Sequence, residues 1–339
     1  MTATQLRSRE WRLRQRPTGT PSSADVELVE VALAQPLPGE VLVHNIALSV
    51  EPYMWGRMSG EADYAAPYEL GVAMTGHAVG TVVASAATDL PVGTLVVHEA
   101  GWREAAVVPA SAVRALPSDD VVPSAWLGAA GLTGFTAYVG LLDIAACKPG
   151  DTVFISAAGG SVGSTVAQIA KLMGCTVIGS AGSAAKVEFL TSELGVDAAF
   201  DYHDGVRASL SAALDRVGQS GLDVYFDNVG GDHLESAIRR MRDFGRITLC
   251  GAISTYGNRV PGPGNLLLAI WRRLRLQGFI ASDHEARRPE FERVMTDWLR
   301  QGAVRSVETV RSGGVEVAFD AFLGMLQGQD IGKTVVTLG

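Results

Sequence analysis

The stretch VFISAAGGSVGSTVAQIAKLMGCTVIGSAG, residues 153–182, decides the fold of this chain. It reads as a β-rich apolar run, a glycine-rich turn, an amphipathic helix and a second β-rich run. This order within about 30 residues is typical of a βαβ unit that binds a dinucleotide, whereas a glycine turn outside this context can serve packing only. The pattern therefore predicts a dinucleotide-binding unit.

The turn at residues 157–163 keeps two glycines of the GxGxxG spacing, Gly160 and Gly163, and has Ala158 in the first place. We expect Gly160 to leave room for a pyrophosphate beside the backbone. Gly163 is expected to let the following helix pack close to the strand, and Val162 stands at the start of that helix. These positions are therefore predicted to contact the cofactor.

The end of the second strand indicates which dinucleotide binds. An NAD site usually has an acidic residue about 20 residues beyond the glycines, where its carboxylate accepts hydrogen bonds from the adenosine ribose. Here residues 180–183 read Ser-Ala-Gly-Ser, and Glu188 is the first acid that follows. Ser183 and Lys186 can accommodate and neutralise a 2′-phosphate, which an acid would repel. The sequence therefore favours NADPH over NADH.

Length, charge and cysteine content agree with a two-domain protein in a reduced compartment. At 339 residues the chain is long for a single core. Its 28 basic and 36 acidic residues leave a net charge of −8, which indicates no nucleic-acid or anionic-membrane partner. Cys147, Cys175 and Cys250 are isolated thiols without paired spacing, and no signal-peptide pattern precedes the first predicted strand. We therefore expect a cytoplasmic protein without a zinc knuckle.

One uncharged segment, residues 121–142, is long enough to span a bilayer. Pro123, four glycines and several hydroxyl side chains make it a poor candidate for membrane insertion. We expect it to form a buried element at a domain junction instead.

Strand patterns differ along the chain. Up to about residue 124 short apolar runs are separated by Pro and Gly, which is typical of a small β-barrel domain. These runs lie at residues 40–43, 80–83 and 94–97. Beyond the glycine turn, strands alternate with helical segments, which predicts an α/β fold with a doubly wound parallel sheet. Those strands lie at residues 197–200, 222–226 and 245–249. A last strand, residues 333–338, is not required by that sheet, and we expect it to return to the first domain.

Six blocks of sequence point to a known family. They are LSVEPYMWGRMSG (48–60), GLTGFTAYVGLLDI (131–144), AAGGSVGSTVAQIAKLMG (157–174), FDNVGGDHLESAI (226–238), LCGAISTYG (249–257) and DIGKTVV (330–336). In this order, over nearly the whole chain, they resemble the medium-chain dehydrogenase/reductase superfamily. Within it the chain is similar to the zinc-independent double-bond reductases, the leukotriene B4 dehydrogenase, prostaglandin reductase and curcumin reductase group.

The resemblance implies a Rossmann NADPH-binding domain at residues 126–299 and a GroES-like β-barrel catalytic domain formed by residues 1–125 and about 300–339. It implies NADPH-dependent reduction of the carbon–carbon double bond of α,β-unsaturated aldehydes or ketones. Hydride would pass to the β-carbon, negative charge would develop on the carbonyl oxygen, and a proton would later reach the α-carbon. The family usually forms homodimers, so a homodimer is expected here.

The resemblance also assigns site residues. Tyr256 matches the family tyrosine that hydrogen-bonds the nicotinamide ribose and helps to stabilise the enolate, and Tyr202 matches the tyrosine near the adenosine phosphate. A tyrosine suits the first role because it can donate while neutral at pH 7. Asn228 follows a predicted strand, at the edge where open α/β sheets bind ligands. The full cofactor-binding set is Ala158, Gly160, Val162, Gly163, Ser183, Lys186, Tyr202, Asn228, Cys250, Ile253, Tyr256, Phe279, Ile280 and Asp330.

The candidates for the substrate pocket are Tyr53, Tyr64, Trp102 and His284. Several positions depart from the family pattern. Trp55 replaces a usual Arg, and His284 stands where many relatives have Tyr, which leaves the natural substrate open. Asp330 stands where relatives usually have Asn, and a carboxylate near phosphates is unfavourable unless it is paired.

Zinc-dependent relatives bind a catalytic metal through a Cys, the His of a GHE motif and a second Cys. This chain has Glu51 near the first position, His77 in a Gly-His-Ala sequence, and no cysteine in residues 129–133, where the last ligand would fall. Two ligands are too few, because zinc sites use three protein ligands plus water. We therefore expect no metal. His77, which stands where these reductases commonly have a small residue, is interpreted as a hydrogen-bonded histidine near the cleft.

Two other functions stay open. A quinone oxidoreductase or a carbonyl reductase could use the same scaffold, and the bond that is reduced would distinguish them. A non-catalytic NADPH-binding regulator is the alternative of a different class. The abundance of cofactor motifs and the presence of Tyr256 argue against it.

Overall fold

The structure, a computed structural model, describes residues 6–60, 65–117, 121–256 and 260–338. Its strands are β1 (Arg7–Leu13), β2 (Val26–Ala32), β3 (Glu40–Ser49), β4 (Ala78–Ser85), β5 (Leu95–His98), β6 (Ala105–Pro109), β7 (Val113–Ala115), β8 (Thr152–Ile155), β9 (Thr176–Ala181), β10 (Ala198–Asp201), β11 (Leu222–Asp227), β12 (Met241–Leu249), β13 (Arg275–Gly278), β14 (Glu308–Ser312) and β15 (Lys333–Thr337). Its α-helices are α1 (Tyr53–Ser59), α2 (Leu132–Tyr138), α3 (Ser161–Leu172), α4 (Ala184–Ser192), α5 (Val206–Arg216), α6 (Gly231–Arg240), α7 (Leu267–Trp271), α8 (Arg288–Arg300) and α9 (Ala318–Leu326).

Two compact units divide the chain. Residues 1–127 and 308–339 form the first unit, and residues 128–307 form the second. β15 pairs antiparallel with β3, so the C-terminal strand belongs to the first unit. The sequence predicts that the chain returns to the first domain at about residue 300, whereas in the structure it returns at residue 308. The boundary is later because Val304 is 1% exposed and packs in the core of the second unit.

The second unit is built on a six-stranded parallel sheet in the order β10-β9-β8-β11-β12-β13. The strand order reverses between β8 and β11. Doubly wound sheets bind their ligands at this switch point, beyond the carboxyl ends of the strands. The predicted α/β fold class with a Rossmann sheet is therefore confirmed.

β8 shows why this sheet carries helices on both faces. All its residues are buried, and successive side chains point to opposite faces of a strand. Val153 and Ile155 join one apolar cluster, to which α3 contributes Val166. Phe154 joins a second cluster with Leu210 of α5. The carboxyl end of β8 is therefore held between two packed layers.

The first unit contains a mostly antiparallel sheet in the order β14-β15-β3-β4-β5-β7, with β6 also paired to β3. β14 and β15 run parallel, and β1 and β2 form a separate two-stranded ribbon. Trp102, Phe319 and Phe322 are among the largest side chains in its core. This sheet is the second component of the predicted two-domain architecture.

The uncharged segment at residues 121–142 forms a 3-10 helix, Pro123–Leu127, and then α2. Leu127, Phe135 and Tyr138 are buried, as expected for an element of the interior. Across the described part of the chain, no helix combines the length and the apolar character needed to cross a membrane.

Candidate cofactor-binding and active site

The glycine turn after β8 is shaped by close backbone contact. A Cβ atom at Gly163 would lie 2.4 Å from the carbonyl oxygen of Ala157 and 2.7 Å from Cα of Ala158, so only glycine allows α3 to begin there. This is the packing role predicted for Gly163. A Cβ at Gly160 would meet only the Ala157 oxygen, at 3.3 Å. Gly160 is partly exposed, and the position of its missing Cβ has no other neighbour within 4 Å, which leaves room for a ligand there.

The N-terminus of α3 faces the same turn. Gly160 is its N-cap, and no side chain of the described residues caps it. The first N–H groups of a helix have no intrahelical partner, and the helix dipole makes this end attractive to anions. Ala158, Gly160, Val162 and Gly163 therefore lie together at a site suited to a pyrophosphate.

The end of β9 carries no acid beside this turn. The N–H of Ala158 donates to the carbonyl of Ser180 at 2.8 Å, which fixes the turn against β9. Ser183 caps α4, and its Oγ accepts from the N–H of Lys186 at 3.3 Å. The methylene carbons of Lys186 would lie 3.5 Å from a Cβ at Gly159, so this side chain packs on the glycine turn. The arrangement fits a dinucleotide with an extra phosphate, as the sequence predicts.

Tyr202 lies on the other side of the β9 terminus. A Cβ at Gly182 would be 2.9 Å from its ring, and Tyr202 is 40% exposed. The ring also packs against that of His203, with the ring centroids 4.2 Å apart. The Tyr202 ring meets that of His233 edge-on at 5.6 Å. His233 Nε2 lies 3.0 Å from Ser180 Oγ. His233 could not be predicted from the sequence, because nothing near it on α6 indicates a contact with β9.

Asn228 directly follows β11, at the switch point of the parallel sheet. Its backbone N–H donates to Ser156 Oγ at 2.9 Å, and its side-chain amide donates to the Ser156 carbonyl at 2.8 Å. The N–H of Ile253 donates to the carbonyl of Asn228 at 3.3 Å. The ends of β8, β11 and β12 therefore meet here. Ser156 was also missed, although its position directly after β8 is a usable signal.

Asp227, the last residue of β11, shapes the loop that carries Asn228. Its Oδ1 accepts from the Tyr225 hydroxyl at 2.6 Å and from the N–H groups of Val229 and Gly230 at 2.9 and 2.8 Å. Burial raises the pKa of Asp227 above its ordinary value, against the effect of these hydrogen bonds. These hydrogen bonds fix the loop after β11, so Asp227 positions Asn228.

The loop after β12 carries three predicted residues. The N–H of Cys250 donates to the Asp227 carbonyl at 2.9 Å, and burial raises the pKa of the Cys250 thiol to about 12. The raised pKa favours the protonated thiol at neutral pH. Ile253 begins a 3-10 turn that ends just before Tyr256, whose N–H donates to the Ile253 carbonyl at 3.2 Å. Tyr256 therefore stands at the carboxyl edge of the sheet.

Phe279, Ile280 and His284 follow β13. A Cβ at Gly140 would be 2.8 Å from the Phe279 ring, so this ring packs closely on the segment after α2. The rings of Phe279 and His284 are 6.4 Å apart in an edge contact. Ile280 is exposed. The structure therefore brings a predicted substrate residue, His284, next to a predicted cofactor residue.

The predicted substrate residues of the first unit have different surroundings. Tyr53 begins α1 and is partly buried, and burial together with the nearby Glu51 raises its pKa. Trp102 is a correction: it is fully buried and packs edge-on against Phe322 at 5.9 Å, so it belongs to the apolar core and not to an open pocket. Tyr64 lies outside the described residues.

Asp330, for which a cofactor contact is predicted, is buried in the first unit. Its carboxylate pairs with the guanidinium of Arg311 and accepts from the Thr334 hydroxyl at 2.7 Å. Asp330 is therefore a paired carboxylate, and its negative charge is offset by Arg311.

The two residues at the zinc-ligand positions do not form a metal site. The Lys333 ammonium lies 2.6 Å from Glu51 Oε1, so a cation of the protein already neutralises this carboxylate. His77 Nδ1 is 3.9 Å from Glu51 Oε2. Over the ranges that the structure describes, no group of three or more His, Cys, Asp or Glu residues is placed to hold a metal ion. The donor set therefore does not fit a catalytic zinc ion.

Known proteins match both parts of the chain. A family model described as the N-terminal domain of oxidoreductase matches residues 9–116, and one described as zinc-binding dehydrogenase matches residues 161–301. The NADPH-dependent curcumin reductase of Escherichia coli (strain K12) is 38% identical over 338 residues, covering 97% of this chain and 96% of that protein. The NADP(+)-dependent 2-alkenal reductase of Nicotiana tabacum is 38% identical over 325 residues, covering 94% of each.

The crystal structure of CurA in complex with NADPH, from Vibrio vulnificus, aligns with a TM-score of 0.90 at 37% identity. The alignment covers 98% of this chain and 99% of that one. The similarity in sequence and in structure thus extends over both units. The chain belongs to the medium-chain dehydrogenase/reductase superfamily, in the group that contains the curcumin and 2-alkenal reductases.

Proposed function

We propose that this protein is an NADPH-dependent oxidoreductase that reduces the carbon–carbon double bond of α,β-unsaturated aldehydes or ketones. Relatives of similar length carry the names NADPH-dependent curcumin reductase and 2-alkenal reductase. The observation that carries the proposal is the carboxyl edge of the second unit. There the open glycine turn, the N-terminus of α3 and the Lys186 side chain lie together, and β9 ends without an acid.

The chain's own residues can hold the cofactor in three places. The glycine turn and the first turn of α3 are suited to the pyrophosphate, because backbone N–H groups and the helix dipole attract anions. Ser183, Lys186 and Tyr202 surround the end of β9, where the 2′-phosphate of the adenosine would lie. Asn228 and the loop from Cys250 to Tyr256 are suited to the nicotinamide half. NADPH supplies a hydride when it is bound.

Tyr256 is the group that we assign to the reacting end. Addition of hydride to the β-carbon leaves negative charge on the carbonyl oxygen, and a hydrogen-bond donor placed there lowers the barrier. A neutral phenol can donate to this oxygen at pH 7. The raised pKa of Cys250 favours its unreactive, protonated form, and the reaction proposed here does not require a thiolate. The mechanism therefore needs positioning and a donor, without a nucleophile.

A labelling experiment tests the reaction. With NADPH deuterated at C4 and a simple enone, we expect deuterium at the β-carbon and a saturated ketone as the product. Deuterium at the carbonyl carbon, with an allylic alcohol as the product, would make the protein a carbonyl reductase. Turnover of quinones without turnover of enones would favour the quinone oxidoreductase, and NADPH binding without turnover of a broad enone panel would favour a regulator.

We also propose a cytoplasmic homodimer. β13 is an edge strand of the six-stranded parallel sheet, so its outer edge can pair with a second copy of the chain. Nearby on the chain, Leu267, Ile270 and Trp271 of α7 are exposed apolar side chains. An Ile270→Glu variant should lower the mass measured by light scattering from that of a dimer to that of a monomer. A monomeric unmodified protein at micromolar concentration would contradict the proposal.

A further inference from the structure

Cys147 and Cys175 are neighbours in the fold. Their sulfur atoms are 3.6 Å apart, although 28 positions of sequence separate the two residues. The expectation that the cysteines are isolated thiols is therefore wrong for these two. Sequence spacing could not reveal the pair, because the contact arises only when β8 and β9 align in the sheet.

The pair lies at the amino ends of two adjacent strands. Thr152 of β8 is opposite Thr176 of β9, and the two cysteines precede these strands. Backbone hydrogen bonds fix both positions: Cys147 N–H donates to Leu141 at 3.1 Å, and Cys175 N–H donates to Ala170 at 3.0 Å. The cofactor-binding edge is the opposite, carboxyl edge of the sheet. A reaction at the two thiols therefore takes place away from the glycine turn.

The turn at residues 148–150 lies between the two thiols and the solvent. Cys147 and Cys175 are 8% and 3% exposed, but the turn directly above them, residues 148–150, is exposed. The Lys148 carbonyl in this turn accepts from Cys175 Sγ at 3.4 Å. The exposed turn thus contacts the buried thiols directly, and a local opening of this turn would give a small oxidant access to them.

The two thiols are coupled through their contact. Either sulfur can donate a hydrogen bond to the other, and Cys175 Sγ also contacts the Lys148 carbonyl. The thiolate is the reactive form of cysteine, so the sulfur that loses its proton attacks the oxidant and its neighbour resolves the product.

We propose that Cys147 and Cys175 form a redox-active dithiol, which a hydroperoxide converts to a disulfide. The thiolate of one cysteine attacks the hydroperoxide, so that an S–O bond forms, the O–O bond breaks and the released oxygen leaves as water or an alcohol. The other cysteine then attacks the sulfenic acid, so that the S–S bond forms and the S–O bond breaks. The sulfenic oxygen leaves as water with the proton of the resolving thiol. Two thiols lose two electrons, and one hydroperoxide is reduced.

The geometry favours the disulfide over separate oxidation of each thiol. A disulfide has an S–S distance of about 2.05 Å, so the sulfur atoms, which are 3.6 Å apart, must approach by roughly 1.5 Å. The bond would enclose β8, the glycine turn and α3 in one covalent loop. Closing such a loop restricts the unfolded chain, so the oxidised protein should be the more stable form.

The test uses the full-length protein and hydrogen peroxide. Mass spectrometry should show the loss of two hydrogen atoms, and a peptide map without reductant should join the peptides of Cys147 and Cys175. Dithiothreitol should reverse both changes. Cys147→Ser and Cys175→Ser should each abolish the cross-link, whereas Cys250→Ser, the matched control, should retain it. Added oxygen atoms on the unmodified protein without a joined peptide would overturn the proposal.

A second readout does not depend on any variant folding. Oxidation of the unmodified protein should raise the midpoint of thermal unfolding by several degrees, and dithiothreitol should return it to the starting value. The Michaelis constant for NADPH should change less than about twofold, because the cofactor edge is opposite the dithiol. A lower midpoint for the oxidised form would mean that the bond strains the fold and would contradict the proposed geometry.

Discussion

The ammonium of Lys333 lies 2.6 Å from Glu51 Oε1, and the two side chains are only 3% and 5% exposed. Lys333 also donates to the carbonyl of Val50 at 3.3 Å. Burial alone would raise the pKa of Glu51, but the charges of Lys333 and His77 outweigh it and lower this pKa to about 2. The pair joins β15 to the chain just after β3 and neutralises the Glu51 charge through Oε1.

We expect Lys333→Met to destabilise the protein by about 3–5 kcal/mol, because it leaves the Glu51 charge buried without its partner. The double variant Glu51→Gln with Lys333→Met should recover much of this loss. Denaturant unfolding measures both. The control is Arg7→Ala, which breaks an exposed pair with Glu30 and should cost less than about 1 kcal/mol. If Lys333→Met and Arg7→Ala lowered the free energy of unfolding equally, the Lys333–Glu51 pair would contribute little to stability.

Lys186→Ala should raise the Michaelis constant for NADPH roughly 10- to 100-fold, since a lost charge-assisted hydrogen bond is worth about 1.5–3 kcal/mol. The constant for NADH should change little, because NADH lacks the 2′-phosphate. Lys171→Ala is the control, since Lys171 pairs with Asp197 at 2.8 Å on the same unit. Equal use of both cofactors by the unmodified protein would refute the NADPH preference.

Tyr256→Phe keeps the aromatic ring and removes the donor. We expect the turnover number to fall by up to about 100-fold, with a smaller change in the dissociation constant of NADPH. Steady-state kinetics and a fluorescence titration separate the two quantities. The cofactor ribose hydroxyl can share the oxyanion role, which limits the loss. An unchanged turnover number would remove Tyr256 from the reaction and leave the fold and the cofactor preference unaffected.

Activity should survive exhaustive treatment with a chelator, and the purified protein should carry less than one zinc ion per chain. The reason is that Glu51 is neutralised by Lys333 and that His77 alone cannot hold the metal. Metal analysis and assays before and after chelation measure this. Loss of activity that added zinc restores would mean that the Glu51 and His77 positions still bind a metal.

Acid should destabilise the protein partly through His98. Its Nε2 lies 2.8 Å from Asn45 Oδ1, its Nδ1 accepts from the Ala100 N–H at 3.1 Å, and burial lowers its pKa to about 4. An unfolded histidine has a pKa of about 6.5, so between that value and pH 4 the unfolded chain binds a proton that the folded one does not. Stability is therefore lost as the pH falls, by up to about 3 kcal/mol for this residue.

Denaturant unfolding at several pH values measures this loss. A His98→Gln variant should be less stable at pH 7, because its hydrogen bonds change, and should lose less stability between pH 6.5 and 4. His203→Gln is the control, since the His203 side chain is 63% exposed. If the free energy of unfolding depended on pH in the same way in the unmodified protein and in the His98 variant, His98 would not titrate as its burial implies.

Local sequence was sufficient for the cofactor motif. The spacing of Gly160 and Gly163 predicts the close packing at the start of α3. The absence of an acid after β9 agrees with the position of Lys186 on the glycine turn. Both features depend on neighbouring residues within one βαβ unit. The contacts of His233 with Ser180 and Tyr202 could not be predicted, because they join three separate segments of the second unit.

The amino-acid sequence by itself determined the two kinds of sheet, the glycine turn and the family, since these depend on residue periodicity and on short motifs. Only the tertiary structure decided that Trp102 is a core residue, that Lys333 neutralises Glu51, and that Cys147 meets Cys175. The physical reason is that burial, charge pairing and thiol contact depend on distances through space. Those distances are fixed by strand pairing between segments that are remote along the chain.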